Sequence, residues 1–201
     1  VVRSFVRAGA NLPPEQKRRV EALRVELSRL STEFANHVLD STNAWELVLT
    51  DEAELEGLPE SARAQARAAA QAKGIDGWRF TLQLPSYQPF LQYSARRDLR
   101  ERMHGAYANR ASSGEHDNRP LVGRILELRR ELAHVLGFRD YADMALEESM
   151  AGSGTRAVAF EEDLADRTRP HWWREMRELE AFARAELGLD ALQPWDVAFC
   201  T

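Results

Sequence analysis

Along most of the chain, apolar residues return every three or four positions, the period of a helix with one buried face. The run Val20, Leu23, Leu27, Leu30, Phe34 and Val38 predicts a long amphipathic helix, with Pro13 and Pro14 placed to open it. Thr50 suits the cap of a short turn through "DEAEL", whose Asp51 and Glu52 favour the positive end of a helix, and Gly57 ends it. Ser61 then begins the Ala-rich helix "ARAQARAAAQAK", closed by Gly74. Two segments change period: "WELVL" at 45–49, and "WRFTLQL" at 78–84, where Trp78, Phe80, Leu82 and Leu84 alternate with polar residues. They predict two strands paired across the Ala-rich helix. Pro85 should end the second, and "SYQPFLQYS" reads as a loop or a short helix with Pro89 in its first turn. Helices resume at about 96–111, 119–136 and 140–149, and a last one runs from Thr155 to Leu187 with Pro170 as a kink.

The pattern holds no internal repeat and no low-complexity tract. "MAGSGTR" at 150–156 could separate two domains, but a helix-to-helix turn needs the same residues. The expected fold is therefore one mainly α, multi-helix domain over 1–201 with a small two-stranded antiparallel ribbon.

Composition narrows the function classes. With 44% hydrophobic residues the chain can build a core, and its net charge of −5 arises from 27 basic and 32 acidic residues that are interspersed. No basic tract asks for nucleic acid or a membrane surface. No window approaches the ~18 apolar residues of a membrane span. The start "VVRSFVRAGANLPPEQ" lacks the apolar core of a secretion signal, and the single Cys200 cannot form an internal disulfide, so the expected compartment is the reducing cytoplasm.

Candidate chemistry centres on histidine. Glu101 and His104 stand three apart, and Glu131 and His134 repeat the pair one helix later. Two such pairs, with a carboxylate from each of two more helices, are the ligand set of di-metal carboxylate bundles. At about 100° per residue, however, Leu99, Met103 and Ala106 define a buried face away from Glu101 and His104. Leu121, Ile125, Leu128 and Leu132 likewise leave Glu131 on the flank and His134 further out, where it suits the negative end of the helix dipole. His37, His116 and His171 lie near a helix end, in the polar loop "SGEHDN" and before "WW"; solvated or interfacial positions account for each. Glu33 and His37 are the nearest approach to a zinc helix, without the second histidine. The chain contains no His-Glu-x-x-His, glycine-rich phosphate loop, paired CxxC or Gly-x-Ser-x-Gly, and Cys200 has no evident histidine to activate it. Trp172 and Trp173 cannot share one narrow helix face, which implies a helix buried on two sides or a contact surface, with core packing the expected reading.

Longer runs carry more. "FANHVLDSTNAWELVLTDEAELEGLPES", "TLQLPSYQPFLQYSARRDLRERMHGAYANRAS", "DNRPLVGRILELRRELAHVLGFRDYADMALEESMA" and "PWDVAFC" resemble, in order, the thimet-oligopeptidase-like zinc metallopeptidases. The resemblance extends from about Phe5 to the C-terminus; His37 stands where the family pattern suggests Asn, and "MHGAY" where it suggests a Met-Tyr pair. The resemblance implies a longer, largely helical enzyme with a deep channel, in which a His-Glu-x-x-His helix and a later Glu hold zinc. These residues would then precede that helix, as a non-catalytic segment of the channel wall. No catalytic, cofactor-binding or metal residue carries over to any position here, and no zinc is expected on this chain itself. Short peptides and the C-terminal catalytic part would be the partners. Two alternatives stay open: an autonomous helical interaction module, and the di-metal bundle.

Overall fold

The computed structural model describes Phe5 and residues 9–201. Among these, eight α-helices and one two-stranded antiparallel sheet account for the mainly helical fold read from the sequence. In chain order they are α1 (Pro14–Ala44), β1 (Glu46–Leu49), α2 (Glu60–Gln71), β2 (Trp78–Thr81), α3 (Leu84–Tyr93), α4 (Arg97–Ala108), α5 (Arg119–Val135), α6 (Tyr141–Leu146), α7 (Gly154–Leu187) and α8 (Pro194–Cys200). Contacts cluster into two compact units, one of residues up to Asn36 with Asp117–Pro170, the other of His37–His116 with His171–Thr201. Helices α1 and α7 run from one unit into the other.

The first unit buries the apolar stripe of α1 against that of α5. Val20, Leu23 and Leu30 pack with Ile125, Leu128, Leu132 and Ala133, and Met144 of α6 closes the cluster. The stripe is flanked by ion pairs: Arg19 donates to Glu131 at 2.6 Å, and Arg124 reaches Glu26 at 2.9 Å. Helix α5 ends where Gly137, at φ +85°, lets the chain reverse, with Gly137 N donating to His134 O and Phe138 N to Ala133 O. Asp140 caps α6 through the Asp143 amide, and Asp143 in turn accepts from Gly154 N at 2.8 Å, tying α6 to the start of α7. Ser149 donates to Leu146 O, so α6 stops there and does not fill the expected 140–149.

The second unit is built on the ribbon. Leu47 faces Phe80 and Leu49 faces Trp78, and these side chains meet Ala66 of α2 while Val48 points outward. Phe80 meets Phe90 of α3 edge-on at 4.7 Å, and Leu99 and Met103 of α4 complete the core. The second strand is shorter than the expected 78–84. Helix α1 runs to Ala44, so β1 offers nothing beyond Glu46 to pair past Thr81, and Leu84 already begins α3 with Pro85 in its first turn. Leu82 is buried all the same. "SYQPFLQYS" is helical, but Pro89 lies inside α3, past the first turn.

Two start signals also differ from expectation. The short 3-10 turn Glu52–Leu55 is capped by Asp51, whose carboxylate accepts from Ala53 N at 2.9 Å, and not by Thr50. Helix α2 begins at Glu60 behind Pro59, with no side-chain cap, so Ser61 lies already inside it. Gly57 ends the turn as expected, at φ +83°, and a Cβ there would stand 2.2 Å from Tyr93 O. Helix α7 continues through Pro170. Trp172 and Trp173 are not core residues: they are 50% and 53% exposed, their rings packed edge-to-face on each other at 4.6 Å.

Candidate functional site

The two Glu-x-x-His pairs fall in different units. Glu101 is exposed on α4, and His104 is half-buried, with Nδ1 3.4 Å from the Tyr87 hydroxyl and its ring 6.2 Å from that of Trp195. His104 is thus more enclosed than the helical period suggests, because α3 and α8 close over that flank of α4. Glu131 is held by Arg19, whose hydrogen bonds keep its carboxyl below the usual range, and His134 Nε2 lies 3.0 Å from Arg139 O across the α5–α6 turn. Glu33 binds Arg29 at 2.8 Å, and the His37 ring lies 5.8 Å from that of His116. Among the described residues, no group of three or more His, Cys, Asp or Glu side chains stands close enough to hold a metal ion. The donor set here does not fit zinc.

What the second unit does assemble is a buried clamp that the sequence reading missed. Arg97 and Arg100, one turn apart on α4, converge on Asp196 of α8. Arg97 Nη2 donates to Oδ2 at 2.8 Å and Arg100 Nη2 to Oδ1 at 2.9 Å. Asp196 also accepts from Gln193 N at 3.1 Å, forming a capping box at the start of α8. Arg100 also donates from Nη1 to Ser94 O at 2.6 Å and from Nε to Trp195 O at 3.2 Å, and its guanidinium lies 3.9 Å from the Phe199 ring. Ser94 Oγ and Trp195 Nε1 are buried without hydrogen-bond partners of their own among the described residues. Both Asp196, fully buried, and Arg100, 1% exposed, have left water, so their geometry has to compensate a large desolvation cost.

The electrostatics define what this cluster can do. Burial alone would raise the Asp196 carboxyl, but hydrogen bonds from Arg97 and Arg100 outweigh it and hold the group below the ordinary aspartate value. A carboxylate so neutralised is a poor base. Cys200 is pushed the other way, first by burial and then by the Asp196 charge, so its thiol resists ionisation and is a poor nucleophile. Next to the clamp, Tyr87 stacks on Tyr107 at 4.1 Å and the Arg110 guanidinium lies 3.4 Å from the Tyr107 ring, extending an aromatic layer from α3 across α4. The cluster positions elements. One signal could have exposed it: Arg100 stands between Leu99 and Met103, a charge inside a buried stripe, which needs an acid from elsewhere in the chain.

The clamp, α4 and α8 lie within residues 90–201, which match the pattern of peptidase family M3. The chain belongs to this family. Oligopeptidase A of Escherichia coli is 44% identical to it over 98% of the chain, and that of Haemophilus influenzae 41% over 98%. A probable cytosolic oligopeptidase A of Arabidopsis thaliana is 34% identical over 98%. The chain spans only 30%, 30% and 29% of the length of these three relatives. The M3 assignment agrees with the likeness to thimet-oligopeptidase-like peptidases read from the four sequence runs.

Proposed function

We propose that residues 1–201 are a non-catalytic segment of a zinc-dependent oligopeptidase that hydrolyses short peptides in the cytoplasm, and that their helices form part of the wall of its substrate channel. The observation that carries this reading is the 44% identity to oligopeptidase A along 98% of the chain. It is supported by what these residues are committed to: Glu131 pairs with Arg19, Glu33 with Arg29, His134 meets Arg139 O at the α5–α6 turn, and the buried Asp196 receives two arginines. Zinc hydrolysis needs three protein ligands, an open position for water and a carboxylate base. In this reading those groups belong to the catalytic part of the full-length protein. Among the described residues no helix is long and apolar enough to cross a membrane.

The test is direct. The full-length protein should cleave a fluorogenic oligopeptide, lose that activity to a chelator, regain it with zinc and leave folded proteins intact. The 201-residue chain should be inert with zinc supplied. Metal-dependent cleavage by the purified chain itself, surviving a contamination control, would refute the assignment of chemistry to the other part.

A further inference from the structure

Helix α7 is 34 residues long and most of it stands in solvent. In its second half, Met176 and Leu179 are half-buried and Ala183 is buried, so one stripe of the helix is covered. That stripe does not cover the large apolar side chains. Trp172 and Trp173 are about half exposed, and Phe182 is exposed as well. At about 100° per residue, Trp173 and Phe182 project on opposite sides of the helix. In the first half, Phe160 is 66% exposed and Leu164 lies open beside it. A helix with apolar residues on several bearings is a helix meant to be covered on more than one side, and contiguous exposed aromatics mark an interaction surface.

We propose that the face of α7 around Trp172 and Trp173 is a docking surface for the part of the full-length peptidase that lies outside these residues, the inference resting on the reading given under Proposed function. The occupant follows from length. Relatives that match this chain from end to end are more than three times longer, since it covers 30% of them. Most of such a protein is therefore chain available to cover this face, tethered covalently and present at high effective concentration. The two indoles suit that role: they are large and rigid, and they order at low entropic cost on burial.

Hydroxyl-radical footprinting of the full-length protein tests this without altering it. Read by mass spectrometry, Trp172 and Trp173 should oxidise roughly fivefold or more slowly than in the urea-unfolded protein, at dilutions where light scattering reports a monomer. Slowing of less than about fivefold, which the half-cover these residues already give could supply, would overturn the proposal. So would protection that fades on dilution, which assigns the face to a second copy. As a second readout, Trp173→Phe should keep Trp172 protected and Trp173→Glu should raise its oxidation severalfold; an unchanged Trp172 in a folded W173E protein would count against docking. Peptidase activity of the same preparation separates the two readings. An active enzyme with reactive tryptophans overturns the docking surface alone. An inactive monomer with protected tryptophans overturns the peptidase reading and supports the surface.

Discussion

Asp196 receives two guanidiniums and one backbone amide in a place that water does not reach. Removing the acid would strand Arg100 without its counter-charge, and breaking a buried pair from one side costs on the order of 3–5 kcal/mol. Asp196→Ala should therefore lower the urea midpoint far more than Glu131→Ala, which cuts an exposed pair that solvent screens. The clamp also sets a pH dependence. Because the folded-state value of Asp196 is depressed, its contribution is complete above the unfolded aspartate value of 3.8 and is lost as pH falls through the lower folded value. Urea melts from pH 6 down to about pH 2 should show the wild type losing stability more steeply than Asp196→Asn in the acid limb. Equal slopes would mean that the carboxylate is not held by its arginines. At this scale the sequence was least legible. The acid and its arginines stand 99 and 96 positions apart, so no local pattern joins them, whereas Glu131 and His134 drew attention by a spacing that their actual neighbours, Arg19 and Arg139, explain without metal.

At the scale of elements, period was a good guide and ends were not. The stripe from Val20 to Leu30 and the alternation at Trp78 and Phe80 arise from burial on one face, which the sequence records directly. Ends depend on what is opposite. The ribbon stops at Thr81 because α1 consumes the residues that would have extended β1, a fact written in another segment. Two variants check the ribbon and its turn. Phe80→Ala removes a ring that fills the space between β1, α2 and α3, and should cost about 3–5 kcal/mol, read as a fall in midpoint with the denaturant slope preserved. Gly57→Ala should destabilise out of proportion to one methyl group, since its Cβ would press on Tyr93 O with the backbone held at φ +83°. A Gly57→Ala protein as stable as wild type would show that the turn can relax.

For the whole molecule, metal gives a simple expectation. Chelator treatment should leave the melting temperature of the 201-residue chain nearly unchanged, because the described residues hold no three-ligand site that would couple metal to folding. A stoichiometric, tightly held ion in the purified chain would overturn that expectation. Fold class and family were readable because helical period and long sequence runs extend over most of the chain. The exposure of Trp172 and Trp173 was not, since an apolar residue reads the same whether its cover lies within these residues or elsewhere. The interleaving of the two units bears on how the protein is made. The apolar stripe of α1 is synthesised well before α5, and Arg19 and Glu131 are 112 positions apart. At ribosomal rates this is a delay on the order of 5–20 s, during which Val20, Leu23 and Leu30 have emerged without the surface that buries them. Nascent chains released before Val135 should therefore recruit chaperones that bind apolar helices, and chains extended past α6 should let them go.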